Sequence, residues 1–215
     1  MNILIDYWPL FRDGFLTTVE LFLLAGVASL VFGVILAMLR VSPVPVFRAA
    51  GTLYVTVVRN TPLTLVFLFF VFAYPYLQIL KLSYFTAAVV ALTVYTSAFI
   101  CEVVRSGINT VPLGQAEAAR ALGLTFGQSL SEIILPQALR SVVPPLVSTL
   151  IALLKNTTIA AGFSVAEAGR IRSILADDGE NQLLGLAWVS LGFVILVMVL
   201  TLAQRTLEKR WSVAR

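Results

Sequence analysis

The chain has 215 residues, of which 59% are hydrophobic and 12% charged, about half the charged share of an ordinary soluble domain. Its mean hydropathy is +0.95. It carries no histidine and a single cysteine, Cys101, which excludes histidine-based metal or proton-relay chemistry, an internal disulfide and a paired-thiol metal site.

Four charge-free windows stand out: Leu21–Leu39, Asn60–Leu80, Leu82–Cys101 and Asn181–Gln204. A fifth, Ser141–Ala166, is interrupted only by Lys155. A spanning helix needs roughly 20 apolar residues, so each window can cross a bilayer. The expected fold is an all-α membrane protein with five transmembrane helices in one domain, residues 1–215. The first window reads as a span rather than a signal peptide. Asp6, Asp13 and Glu20 precede it, where a signal peptide would carry basic residues.

In chain order, span one covers about 15–39. Ala25, Ser29, Gly33 and Ala37 recur at every fourth position there, a small-residue stripe that admits a close helix neighbour. Pro43 and Pro45 break the chain after it. Span two, about 51–80, contains "VRNTPLTL", in which Pro62 removes a backbone hydrogen bond and is expected to kink or open the helix. Span three covers about 85–104. A polar connection occupies 105–140, with Pro136 expected to end its helical part and Pro144–Pro145 to precede span four, about 143–162. The segment after it holds Glu167, Asp177, Asp178 and Glu180 against Arg170 and Arg172, and is expected to be part helix, part loop. Span five covers about 183–204 and runs into a basic tail.

Orientation follows from Lys and Arg placement. One set of connections holds Arg40, Arg48, Arg105, Arg120, Arg140, Arg205, Lys209, Arg210 and Arg215, and the other only Arg12, Lys81, Arg170 and Arg172. Nine against four puts the N-terminus outside and the C-terminus in the cytoplasm. The polar connection is then cytoplasmic.

That connection is patterned. Leu122, Phe126, Leu130 and Ile133/Ile134 form a stripe at helical spacing, while Glu117 and Arg120 sit three apart on a polar face. Gly123 interrupts the first piece, which predicts a helix–turn–helix. Periodicity alone fits an interfacial amphipathic loop. The spacing says more: Glu117-Ala118-Ala119, three residues, Gly123, nine residues, Ile133, one residue, Leu135-Pro136. This resembles the cytoplasmic loop signature of ABC importer permeases, with seven fixed residues matched across twenty positions. "VVRNTPLTLVFLFF", "YTSAFICEVVRSGI", "ILPQALRSVVPPL" and "LIALLKNTTIA" extend the resemblance to the polar amino acid branch, and within it to glutamate permeases. Departures from the wider branch are Ser148, Asn156 and Ile159.

The resemblance implies a MetI-like permease fold in the bacterial cytoplasmic (inner) membrane. It implies a coupling helix at Glu117–Gly123 that docks on an ATP-hydrolysing subunit, and passage of a polar amino acid such as glutamate. It also implies two ABC ATPase subunits, a second permease copy or related permease, and an extracytoplasmic amino-acid-binding protein, all set in membrane lipid; nucleic acid is not expected. ATP and Mg would be bound by the partner ATPase. The chain itself has no G-x-x-x-x-G-K-[ST] loop and no nucleophile–base constellation, so it is expected to be no enzyme. The rival reading is an ATP-independent channel or secondary transporter.

Two charges fall inside spans. Arg59 lies roughly 12 Å beyond Gly51, and Lys155 roughly 17 Å beyond Pro144, at 1.5 Å per helical residue. Intramembrane charges mark a pathway or an ion pair. Each precedes hydrogen-bonding residues, Asn60-Thr61-Pro62 and Asn156-Thr157-Thr158, which makes these eight positions the candidate substrate pathway. An opened helix at Pro62 would offer backbone N–H groups to a carboxylate. The plainer alternatives are snorkelling of Arg59 to the inner surface and a structural Lys155–Glu102 pair. Glu102, at the inner end of span three, reads as a gate or structural element.

Overall fold

The computed structural model describes residues 3–211, leaving aside the side chains of Phe126 and of residues 207–211. The stripe position Phe126 and the basic side chains of Lys209, Arg210 and Arg215 therefore lie outside the described residues. The described chain is helical throughout its regular elements. In order they are α1 (Ile3–Asp6), α2 (Trp8–Val41), α3 (Pro45–Arg59), α4 (Leu63–Leu68), α5 (Tyr84–Asn109), α6 (Leu113–Ala121), α7 (Phe126–Gln128), α8 (Leu135–Asn156), α9 (Ile171–Asp177) and α10 (Gln182–Trp211). Four continuous helical stretches are long and apolar enough to cross a membrane: Trp8–Val41, Tyr84–Asn109, Ser129–Phe163 and Gln182–Thr206. The pair Pro45–Arg59 and Leu63–Leu77 meets the same test together although bent by 103° at a short break, and brings the crossings to five when it counts as one span.

The small-residue stripe does what its spacing predicts. Ala25, Ser29, Gly33 and Ala37 are all buried, and the Ser29 hydroxyl donates to the Thr93 carbonyl at 3.5 Å. A Cβ at Gly33 would sit 2.7 Å from Ile100 Cβ and 3.0 Å from the Ser97 carbonyl oxygen, so only glycine permits this approach of α2 to α5. α5 is the central helix, and α2, α3, α4 and α8 all pack on it.

Three apolar clusters follow one another across the bundle. At the outer end, Phe11 of α2 meets Ala168, Ile171, Leu175 and Val189. In the middle, Leu21, Phe67, Leu92, Leu153 and Phe163 close together, with the Phe67 and Phe163 rings stacked at 5.0 Å. At the inner end, Val55 and Val58 of α3 pack with Ala37, Ala98 and the buried Cys101.

The prolines meet the sequence expectation in one place and depart from it in another. The kink or opening expected at Pro62 is present as a break in the helix, at which the chain turns by 103°. Pro62 takes an extended ψ of 137° at the start of α4. On the other side of the break, the Asn60 amide donates to the Thr56 carbonyl at 2.7 Å and the Thr61 hydroxyl to the Val57 carbonyl at 2.8 Å. With the Thr61 N–H bonded to the Val58 carbonyl as well, the carbonyls of Thr56, Val57 and Val58 all keep partners where α3 ends.

The departure is at Pro136: expected to end a helical segment, it ends none, and Pro144 and Pro145 end none either. Helix is continuous from Phe126 to Phe163, with a π-helical stretch at Ser129–Ile134 immediately before Pro136. A π turn moves the hydrogen-bond register, which absorbs the donor that Pro136 lacks and eases its ring clash. Pro144 and Pro145 lie inside α8. Each removes the bond that would reach the carbonyl four residues earlier, those of Arg140 and Ser141. The connection 105–140 is accordingly mostly helix, with α5 reaching Asn109.

Candidate functional site

The signature loop folds as a short helix joined to the inner end of α8's rod. α6 ends in a Schellman arrangement: the Gly123 N–H bonds the Arg120 carbonyl at 2.9 Å and the Leu124 N–H bonds that of Ala119 at 3.1 Å. Gly123 has φ +80°, which an L side chain adopts only with strain. The next helix starts with a reciprocal cap. The Thr125 N–H bonds Gln128 Oε1 at 2.9 Å, and the Gln128 N–H bonds Thr125 Oγ1 at 3.4 Å.

Ala119 is buried, while Glu117, Ala118, Arg120 and Gly123 are exposed. Ile133 and Pro136 are half-buried and Leu135 is exposed. Leu113 and Leu122, at the two ends of α6, are 82% and 83% exposed. A cavity of about 310 Å³ opens beside this loop between Ser131, Leu135, Pro136, Leu139 and Arg140.

Behind the loop, on α5, one carboxylate gathers three cations. Arg40 from the end of α2 donates to Glu102 Oε1, and Arg105 donates to Oε2 at 2.8 Å. Arg59, the last residue of α3, holds its Nη1 3.8 Å from Oε1. Its guanidinium also lies over the Phe99 ring, 5.4 Å from the centroid. Of the three, Arg59 is the least engaged and the most exposed, at 44% against 15% for Arg40 and 35% for Arg105. Beside it is a cavity of about 310 Å³ whose walls include Ser106, Thr110 and Ser141.

The structure separates the two intramembrane cations. Glu102 is occupied by arginines, and Lys155 makes no ion pair with it among the described residues. Lys155 is exposed instead, on a groove of about 420 Å³ formed with Thr158 and with Phe193, Val194, Val197 and Met198 of α10. Thr157 is buried and bonds the Leu154 carbonyl at 2.7 Å, and Thr158 bonds that of Lys155 at 2.7 Å. Asn156 is half-buried. At the other gap, the side chains of Asn60 and Thr61 are committed to α3, and no side chain caps the N-terminus of α4 after Pro62. Within one chain, then, Arg59 lines one cavity and Lys155 and Thr158 line another.

Sequence reasoning missed two members of the Glu102 cluster. Arg105, three residues on along the same helix, was signalled by its spacing. Arg40 comes from another helix, and nothing local announces it.

The chain matches, over residues 29–213, the family described as binding-protein-dependent transport system inner membrane component. It is 41% identical to the glutamate transport system permease protein GluC of Corynebacterium glutamicum, across 98% of this chain and 97% of that one. It is 38% identical to the probable glutamine ABC transporter permease protein GlnM of Bacillus subtilis, again across 98% and 97%. Among solved structures, it superposes on an amino acid ABC transporter crystallised with histidines, with a TM-score of 0.90, 27% identity and 96% of each chain covered. It shares its fold with a chain of the MetNI methionine ABC transporter in an inward-facing form (TM-score 0.78, 23% identity, 97% of this chain and 99% of that one).

Proposed function

The chain belongs to the binding-protein-dependent transport system inner membrane components, the multi-pass permease subunits of ABC transporters, and from that membership we propose that it carries glutamate into the cell. The observation that carries this reading is the 41% identity to a glutamate permease over nearly the whole of both chains. The glutamine permease at 38% favours glutamine as the second reading.

In this reading the chain holds no ATP site of its own. Two ATPase subunits, which bind ATP and Mg, sit under the α6 loop, where the exposed Leu113 and Leu122 and the ridge Glu117–Gly123 offer an apolar and shape-specific contact. An extracytoplasmic binding protein delivers the amino acid. A second permease copy, or a related one, completes the pathway. The outward position of Lys155 supports this: a cation in an apolar groove is costly unless another element supplies water or a charge. Closure of the ATPases pushes the coupling helices, and α5, joined to α6 by the short turn of residues 110–112, carries the movement to the Glu102 cluster.

The test is uptake of labelled glutamate, glutamine and arginine by proteoliposomes holding this chain with its ATPase and binding protein. ATP-dependent uptake, fastest for glutamate, is expected. Equal uptake without ATP or the ATPase would make the chain a channel or secondary transporter instead.

A further inference from the structure

The cluster around Glu102 is unbalanced. Three guanidinium groups face one carboxylate, leaving two positive charges over. The two carboxylate oxygens are already taken, Oε1 by Arg40 and Oε2 by Arg105. Arg59 is left at 3.8 Å from Oε1, beyond hydrogen-bond reach, and among the described residues no acceptor bonds its donors. A guanidinium offers five donors in a fork that suits a carboxylate. This fork borders a cavity of about 310 Å³, at the small end of the range for small-molecule sites, with hydroxyl groups of Ser106, Thr110 and Ser141 on its walls. The cavity lies between the break in span two and the coupling loop.

We propose that this cavity is an exit subsite for the carboxylate of the departing amino acid, and that Glu102 is a built-in competitor for it. Glu102 holds Arg59 loosely enough for a free carboxylate to take its place, and its negative charge then helps to expel that carboxylate. The site binds weakly by construction, as an exit must. The inference rests on the permease reading given above and adds to it a ligand group, a site and a competing residue.

The experiment uses the reconstituted importer in phosphatidylcholine vesicles, so that no anionic lipid headgroup competes. ATP and Mg inside the vesicles energise only those molecules whose cytoplasmic face is luminal. Glutarate, which has the two carboxylates but no amine, is loaded in the lumen, with glutaramide as the uncharged control. Luminal glutarate should slow wild-type uptake by about threefold or more, and glutaramide should leave it unchanged. Arg59→Gln should be slow from the start and indifferent to glutarate, whereas Arg59→Lys should regain part of both properties. Glu102→Gln should be inhibited at about tenfold lower glutarate, the scale of one charge-assisted contact. Should Glu102→Gln fail to assemble, Glu102→Asp, whose charge is drawn back from Arg59 by one methylene, should show a smaller shift in the same direction. No luminal inhibition of the wild type, equal inhibition of Arg59→Gln, or reduced sensitivity in both Glu102 variants would overturn the proposal. Absence of any ATP-driven uptake at zero glutarate would instead refute the permease reading. Labelled glutarate binding to the purified complex, lost in Arg59→Gln, still decides the subsite in that case.

Discussion

The hydroxyl of Thr18, in α2, donates to Glu167 Oε2 at 3.0 Å, joining two residues 149 positions apart at the outer end of the bundle. The same hydroxyl oxygen accepts the Ala168 N–H at 3.1 Å, and Glu167 Oε1 accepts the Gly169 N–H at 2.8 Å. Both side chains are fully buried, so the outer segment before α9 is fastened to α2 rather than free in solvent. The acidic segment, expected to be part helix and part loop, thus contributes one of its carboxyls to packing.

This buried carboxyl yields the first prediction. Burial raises the Glu167 pKa above its ordinary value, and the bonds from Gly169 and Thr18 offset only part of that. The folded protein therefore holds this proton more tightly than the unfolded chain does. Stability from this group falls as pH climbs from the unfolded pKa through the folded one, and the full cost persists above it. Glu167→Gln keeps every bond: its oxygen accepts from Gly169, and its amide donates to Thr18, which turns its proton to the Gly14 carbonyl it already reaches at 3.1 Å. Thermal unfolding in detergent from about pH 4 to about pH 8 should show Glu167→Gln gaining on the wild type as pH rises. Glu167→Ala should lose about 1–3 kcal/mol by leaving the Gly169 N–H unpaired. A Glu167→Gln advantage that shrank with rising pH would contradict the sign.

The second prediction concerns docking at α6. Nothing lies within 4 Å of a Cβ at Gly123, so a large side chain there points away from its own fold. The φ of +80° adds only about 1–2 kcal/mol of strain. Gly123→Trp should insert and fold, yet lose its ATPase in co-purification and its transport with it. Gly123→Asn, small and tolerant of positive φ, should retain both. Normal association of the tryptophan variant would remove α6 from the interface.

Topology supplies the third. Thr110, Ser131 and Asp178 are exposed and Cys101 is buried. In a Cys101→Ala background, Thr110→Cys and Ser131→Cys should react with impermeant thiol reagents only from the cytoplasmic side. Asp178→Cys should react only from outside. Reversed labelling would overturn the orientation argued from the lysines and arginines.

The parts of this fold legible in the sequence are those set by local rules. Charge-free windows marked the crossings, and the fourfold recurrence of Ala25, Ser29, Gly33 and Ala37 marked the face that meets α5. Gly123 announced its own turn. Proline was legible at Pro62 and misleading at Pro136, because its effect depends on neighbours. Pro62, helped by the caps from Asn60 and Thr61, turns the chain by 103°, whereas Pro136 is carried through by a π turn. The Arg40–Glu102 and Thr18–Glu167 contacts were out of reach for a different reason. They exist only once distant helices have packed, and neither partner carries a local signal.

The last prediction returns to Lys155. It is the only charge in a window of 26 residues, Ser141–Ala166, and it opens onto an apolar groove against α10 without an ion pair among the described residues. A structural pair with Glu102 would have explained it, but arginines fill that carboxylate. We propose that Lys155 meets an anion in the assembled pathway, most simply a carboxylate of the passing amino acid. Lys155→Met keeps the length and the apolar stem, so α8 should insert as before and the complex should assemble. Because a lost charge-assisted hydrogen bond is worth roughly 1.5–3 kcal/mol, uptake at subsaturating substrate should fall by about tenfold or more. ATP hydrolysis stimulated by the loaded binding protein should persist, since the α6 loop is untouched. Loss of hydrolysis and transport together would place Lys155 in the coupling route, and wild-type uptake by Lys155→Met would remove it from the pathway altogether.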